Sequence, residues 1–318
     1  MGNIKTIKIK DLKQGDILLF SPTEDWESRL IASITKSPVS HAAMSYYDYN
    51  EIIEEIPPYA QINSIKDRIV NRKITIMRLT PFKEDMSKVL NIGKNYVANK
   101  EPYTKMDLVF VGLFILFKKS LISPTLQKLL IPLMKHIISD LIVLINKGVY
   151  KGSHPMVCSQ FVYNCYEKAG REYKLIVSNE NFINNLLNQV QDYINKNKDR
   201  KGLKSKLIDN MNKINEENAY NSIDKEKLLE NIYYELQKEQ DTNVLNELQE
   251  EFVITTHEFC TVINYLFNNE QTSLLLNCGD NLISAPIKTI IDSEEFFITP
   301  GDLLMNCKNL IKVGMLDS

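Results

Sequence analysis

Short apolar runs separated by turn residues alternate along the first hundred residues, and this pattern predicts β-strands. The turn signal Gly15-Asp16 precedes one such run, and Asp48-Tyr49-Asn50 separates two others that we expect to form a hairpin. The expected strands cover residues 17–20, 41–47, 51–56 and 74–79. Apolar residues at helical spacing predict helices over residues 24–36 and 81–99.

The most apolar part of the chain is Leu108–Phe117, which ends at Lys118-Lys119. A helix that crosses a bilayer needs about 20 apolar residues, so this run is too short to be one. Helical spacing continues over 121–147, interrupted by Pro124 and Pro132, and we expect two helices that form a lid or a core layer. The alternative is a lipid-facing surface over 106–147, which would give the protein a peripheral membrane contact.

From residue 181 to about residue 251 the composition shifts to Asn, Lys, Glu and Gln, with Leu and Ile at helical spacing. This pattern predicts an inserted helical subdomain with solvated charged faces. No catalytic motif occurs in this part of the sequence. The function that we consider for residues 180–290 is therefore the binding of a protein partner.

Residues 156–166 predict a helix that begins at a cysteine. Gly152, Ser153 and Pro155 break the chain before Cys158, and Gly170 stands where the helix should end. A thiol at a helix N-terminus feels the positive end of the helix dipole, which favours the reactive thiolate. The backbone N–H groups there can also bind an oxyanion. The alternative is a buried structural cysteine, which is the usual role of a free cysteine.

Composition narrows the classes of partner and compartment. The net charge of -2 gives no global field that would attract nucleic acid. The five cysteines, at positions 158, 165, 260, 278 and 307, form no C-x-x-C pair, so neither a zinc site nor a disulfide framework is suggested. Reduced thiols and an N-terminus without an apolar signal segment favour a cytoplasmic protein. Gly2 and Thr6 fit the pattern for N-myristoylation, and this anchor stays open as an alternative.

A nucleophilic cysteine needs an imidazole base, and the imidazole needs a third group that fixes its tautomer. His41 stands at the start of an expected strand, and Glu54 and Glu55 lie in the Ile-rich strand that follows. Carboxylates are unusual in such a strand, and only one of the two can face the side of His41 because neighbouring strand residues point to opposite faces.

The remaining histidines are weaker candidates for the base. We expect His136 and His257 to be structural because both fall in predicted helices. His154, in the loop four residues before Cys158, is an alternative partner for the thiol.

The order of these motifs resembles the circularly permuted NlpC-type papain-like cysteine hydrolases, and in particular their YiiX-like branch. The resemblance covers roughly residues 10–175 and 296–316. The matching segments are Gly15-Asp16 with its apolar strand, Ser40-His41-Ala42, Ile52-Ile53-Glu54, Val157-Cys158-Ser159-Gln160 and Thr299-Pro300-Gly301-Asp302-Leu303. Histidine precedes cysteine, as the permutation in that family requires.

The resemblance implies an α+β fold in which a small antiparallel sheet packs on the helix of Cys158. Its catalytic domain would comprise 1–178 and a C-terminal return segment, 291–318, with a helical insertion at 179–290. Cys158 would be the nucleophile, His41 the base and Glu54 the orienting residue, with no metal or organic cofactor.

The expected activity is that of an amidase or peptidase that forms a thioester acyl-enzyme on a peptide or other amide substrate. Two alternatives stay open. One is a lipid-directed acyltransferase or acyl hydrolase, as in the lecithin:retinol acyltransferase-like relatives, and the other is a catalytically silent binding scaffold.

Overall fold

The computed structural model describes residues 5–48, 50–100, 122–146, 156–178, 185–197, 200, 202–203, 205–207, 224–238, 247–267, 285–293 and 297–317. The chain forms two compact units. Unit 1 comprises Met1–Asp107, Pro155–Asn179 and Phe297–Ser318, and unit 2 comprises Leu108–His154 and Glu180–Phe296. This division differs from the expected boundaries chiefly in residues 108–154, which group with the helical unit rather than with the first segment.

Unit 1 is built on a seven-stranded mixed sheet. Its strands are β1 Thr6–Ile7, β2 Ile17–Phe20, β3 His41–Ser45, β4 Glu51–Ile56, β5 Tyr59–Ser64, β6 Ile74–Leu79 and β7 Leu310–Leu316. They lie in the order β1-β7-β6-β2-β3-β4-β5, with β1 parallel to β7 and every other pair antiparallel. The α+β class is confirmed, but the sheet is larger than the small antiparallel one expected.

The helices divide between the two units. Those of unit 1 are α1 Trp26–Ile34, α2 Ile65–Arg68, α3 Ser87–Ala98, α5 Cys158–Lys168 and α10 Pro300–Met305, with a short 3-10 helix at Ile9–Asp11. Those of unit 2 are α4 Pro124–Asn146, α6 Leu186–Asn197, α7 Lys225–Lys238, α8 Glu250–Phe267 and α9 Ala285–Asp292.

The alternation of side chains along the central strands gives the sheet two apolar faces. On one face, Leu19 and Met44 belong to a large buried cluster that includes residues of α3 and of α5, among them Phe161 and Tyr166. On the other face, Leu18, Phe20 and Ala43 belong to a smaller cluster. Helix α5 contacts both β3 and β4, so its position is fixed against the centre of the sheet.

The turn before β2 explains the Gly-Asp motif. Gly15 has a φ of 76°, a left-handed conformation that favours glycine. The buried carboxylate of Asp16 accepts hydrogen bonds from Arg78, at 2.6 Å to each oxygen, and from the backbone N–H of Lys13 at 2.8 Å. The hydroxyl of Tyr166 donates to the carbonyl of Gly15. The motif therefore joins β2 to β6 and to α5.

In unit 2, α4 packs against α7 and α8 and buries apolar residues such as Leu130, Met134 and Leu141. Pro124 is its first residue, where the missing N–H of proline costs little. The helix continues through Pro132, which the sequence pattern treats as an interruption. The apolar run at 108–117 lies outside the described residues. No helix within the described ranges has the length and hydropathy required to cross a membrane.

Candidate active site

The first turn of α5 presents Cys158 at the helix N-terminus, as the sequence predicts. Val157, the residue before it, has an extended backbone, with φ -97° and ψ 168°, and its carbonyl accepts the N–H of Phe161 at 2.9 Å. The side chain of Gln160 folds back, and its Oε1 accepts the N–H of Val157 at 3.1 Å. Cys158 is 7% exposed.

The C-terminal segment holds this helix start in place. The hydroxyl of Ser159 donates to the carbonyl of Ile298 at 2.6 Å. Thr299 then caps α10, since its Oγ1 accepts the N–H of Asp302 at 3.1 Å. A Cβ atom on Gly301 would lie 2.7 Å from the Cβ of Ser37, so this glycine lets the loop before His41 pack closely.

The register of the central strands brings His41 to Glu54. His41, the first residue of β3, pairs with Phe20, and Ala43 pairs with Glu54. His41 and Glu54 are thus diagonal neighbours on one face of the sheet. The Nε2 atom of His41 lies 2.6 Å from Oε2 of Glu54.

Glu54 is fully buried and its carboxylate is surrounded by donors. Asn63 donates to Oε1 at 2.9 Å, and Arg68 contacts both oxygens, with Nε 2.9 Å from Oε1 and Nη2 3.2 Å from Oε2. Burial alone would raise the pKa of Glu54, but His41, Arg68 and Asn63 together lower it from 4.5 to about 2. Glu54 is therefore a carboxylate at every physiological pH.

Cys158, at the start of α5, interacts electrostatically with the ring of His41. Because Nε2 is held by Glu54, Nδ1 is the ring nitrogen that remains for the thiol. Burial would lower the pKa of His41, whereas the charge and hydrogen bond of Cys158, followed by those of Glu54, raise it to about 9. The arrangement favours an imidazolium at neutral pH, held against the carboxylate of Glu54.

The choice between Glu54 and Glu55 is decided by strand alternation. Glu55 is also fully buried, but it points to the opposite face of β4, towards the middle of α5. Its charge contributes to the raised pKa of Cys165, for which burial is the main cause and which Lys168 opposes. Glu54 is the carboxylate that contacts His41.

The other cysteines and histidines that the structure describes have different surroundings. Burial raises the pKa of Cys260 and raises that of Cys307 to about 11, so both are unreactive thiols. His136 lies 3.3 Å from Asp140 on α4, and His257 is buried in α8. His154, the alternative base, lies outside the described residues, as does Cys278.

The sequence pattern did not single out Asn63 and Arg68, the partners of Glu54. Asn63 lies two residues from Gln61, the register partner of Glu54, and Arg68 ends α2.

No group of three or more His, Cys, Asp or Glu within the described ranges is arranged to hold a metal ion. The search of protein-family models and that of curated proteins returned no match to this chain.

Proposed function

We propose that this protein is a cysteine-dependent hydrolase, an amidase or peptidase that acts through a thioester acyl-enzyme. The observation that carries the proposal is the 2.6 Å contact between the His41 imidazole and the buried Glu54 carboxylate, with Cys158 coupled electrostatically to the same ring. A nucleophile, a base and an orienting group in this order are the requirements for covalent acyl transfer.

The proposed mechanism starts from a thiolate on Cys158 and an imidazolium on His41. The thiolate of Cys158 attacks the carbonyl carbon, and the carbonyl electron pair moves to oxygen. As the tetrahedral species collapses, the bond to the leaving nitrogen breaks and the imidazolium of His41 donates its proton to that nitrogen. Water then attacks the thioester, His41 accepts a proton from the water, and the carbon–sulfur bond breaks to release the acid and the thiolate.

The helix N-terminus supports the negative charge that develops on oxygen. The N–H groups of the first turn have no acceptor within an α-helix, and in α5 the side chain of Gln160 accepts only that of Val157. The N–H of Cys158 is therefore the donor we assign to the oxyanion. Loss of one such donor in other hydrolases slows turnover by a factor of about 100 to 1000.

We also propose that unit 1 is a circularly permuted papain-like domain of the NlpC type. Support comes from the chain order, in which the strand of His41 precedes the strand of Glu54 and the helix of Cys158 follows both. The described cysteines are all free thiols, which is consistent with our proposal of a cytoplasmic location.

A peptide or other amide is the substrate class we favour over a lipid. The lipid alternative depends on an exposed apolar surface over 106–147. Residues 106–121 lie outside the described part, and in α4 apolar residues such as Leu130 and Leu141 are buried. The silent-scaffold alternative predicts an unreactive Cys158 and is addressed by the same experiment as the hydrolase.

The proposal is tested by incubation of the full chain with p-nitrophenyl acetate and intact-mass analysis. We expect an acetyl adduct on Cys158 that forms rapidly and is lost by hydrolysis. Cys158→Ser should abolish the adduct, whereas Cys165→Ser, a change in the same helix, should retain it. Absence of the adduct from the wild-type protein, or its persistence in Cys158→Ser, would overturn the proposal.

A further inference from the structure

Arg72 lies between α2 and β6, next to the candidate active site. Its Nε and Nη2 atoms donate to the backbone carbonyl of Ser21, at 3.0 Å and 2.6 Å. Its guanidinium carbon lies 5.0 Å from the ring centroid of Phe20. These contacts fix the cation at the end of β2.

Phe20 connects this cation to the imidazole. Its ring centroid lies 5.3 Å from that of His41, with the two rings inclined at 55°. Burial and the charge of Arg68 lower the pKa of Arg72, and the charges of Cys158, Glu54 and Asp25 oppose this effect. The guanidinium is therefore within electrostatic range of Cys158.

The proposed charges on the other four ionisable residues of the site sum to zero, so none of them needs Arg72 as a counter-ion. In the proposed mechanism the thiolate of Cys158 has the imidazolium of His41 as its counter-ion, and the carboxylate of Glu54 is paired with Arg68. Arg72 has a neutral carbonyl as its acceptor, and no ion pair joins it to a carboxylate in the part of the chain that the structure describes. The positive charge of Arg72, which lies against the ring that contacts His41, is thus left without a carboxylate in contact with it.

We infer that Arg72 recognises an anionic group, a carboxylate or a phosphate, on the substrate that acylates Cys158. This inference rests on the proposed function and narrows its substrate class to acyl compounds with an anion close to the scissile bond. Ser21 occupies only part of the donor set of the guanidinium, and the remaining N–H groups can bind an oxyanion. The thiolate does not require Arg72, because His41 already supplies its counter-ion.

The test compares alkylation of Cys158 by iodoacetate, which carries a carboxylate, with alkylation by neutral iodoacetamide. Rates are measured on the full chain by peptide mass spectrometry. We expect Arg72→Met to lower the ratio of the iodoacetate rate to the iodoacetamide rate by about five- to tenfold, the effect of a partly desolvated ion pair. Arg72→Lys should restore part of the ratio.

Lys73→Met is the matched control, since it removes the same charge from the next, exposed residue and should leave the ratio unchanged. An unchanged ratio in Arg72→Met would overturn the inference. A fall of both rates by the same factor would overturn it too, because Arg72 would then act on the thiolate. If wild-type Cys158 reacts with neither reagent, the proposed function itself fails.

Competition separates the two kinds of anion. Inorganic phosphate and acetate are each added to the iodoacetate reaction of the wild-type protein and of Arg72→Met. Stronger protection of the wild-type protein by phosphate indicates a phosphorylated substrate, and stronger protection by acetate indicates a carboxylate. Protection that is equal in the wild-type protein and in Arg72→Met would contradict recognition by Arg72.

Discussion

The Nε2 atom of His41 lies 2.6 Å from the fully buried Oε2 of Glu54, on the face of β4 opposite to Glu55. This contact orients the ring so that Nδ1 remains for Cys158. It also stabilises the positive charge that the imidazole carries when the thiol is ionised. The reactivity of the cysteine and the stability of unit 1 are therefore coupled through one carboxylate.

The first prediction concerns the free energy of unfolding of Glu54→Gln. The pKa of Glu54 is about 2 in the folded protein and near 4.5 when unpaired. A lowered pKa means that ionised Glu54 stabilises the fold above pH 4.5 and loses this effect as the pH falls through 2. We expect the substitution to lower the unfolding free energy at pH 7 by about 3 kcal/mol.

Denaturant titrations of Glu54→Gln and the wild-type protein at a series of pH values check this prediction. The difference between them should narrow steadily as the pH falls from about 4.5 towards 2. Glu51→Gln, at the start of the same strand, is the control and should have a much smaller effect. If the difference in unfolding free energy between Glu54→Gln and the wild-type protein does not change with pH, the substitution destabilises the protein through packing and not through the charge of Glu54.

The second prediction concerns pH and the proton of His41. The pKa of His41 is about 9, so the imidazolium that protonates a leaving amine is lost as the pH rises through that value. The rate at which a peptide p-nitroanilide acylates Cys158 should therefore fall as the pH rises through about 9. Alkylation by iodoacetamide should not fall, because it needs the thiolate but no proton for a leaving amine. Parallel pH profiles for the two reactions would argue against His41 as the general acid.

The third prediction separates stability from chemistry at the Gly-Asp motif. Asp16→Asn leaves the side chain of Arg78, 16% exposed, without its ion-pair partner and should lower the unfolding free energy by about 3 kcal/mol. The exposed Asp11→Asn is the control. The folded Asp16→Asn protein should keep the alkylation rate of Cys158, since Asp16 does not contact the site. If Cys158 is alkylated more slowly in Asp16→Asn protein that is fully folded, Asp16 has a role in the chemistry.

The sequence predicts well the elements whose residues carry a strong local pattern. The apolar runs at 17–20, 51–56 and 74–79 correspond to β2, β4 and β6. By contrast, β5 and β7 were not anticipated. β5 contains Gln61, Asn63 and Ser64 and so lacks the apolar pattern of a buried strand, whereas the apolar run of β7 is interrupted by Lys312 and Gly314. They are strands because they pair with β4 and β6.

The same distinction holds for the candidate site. His41 and Cys158 stand at element ends that the sequence identifies, and alternation alone shows that Glu54 and Glu55 must face opposite sides. The side on which each lies depends on the register of β3 with β4. Arg68 and Arg72 carry no local signal, because their roles arise from the path of the chain after β5. Long-range pairing of this kind is not encoded in spacing.

The most direct test of a Cys158–His41 pair is the rate at which Cys158 is alkylated by iodoacetamide at pH 7 in the wild-type protein and in His41→Ala. Cys165 in the same molecule is the internal reference, since burial raises its pKa well above the ordinary value. We predict that Cys158 reacts at least about tenfold faster than Cys165, and that His41→Ala removes most of this advantage. Equal rates for the two cysteines, or an unchanged rate for Cys158 in His41→Ala, would contradict the account.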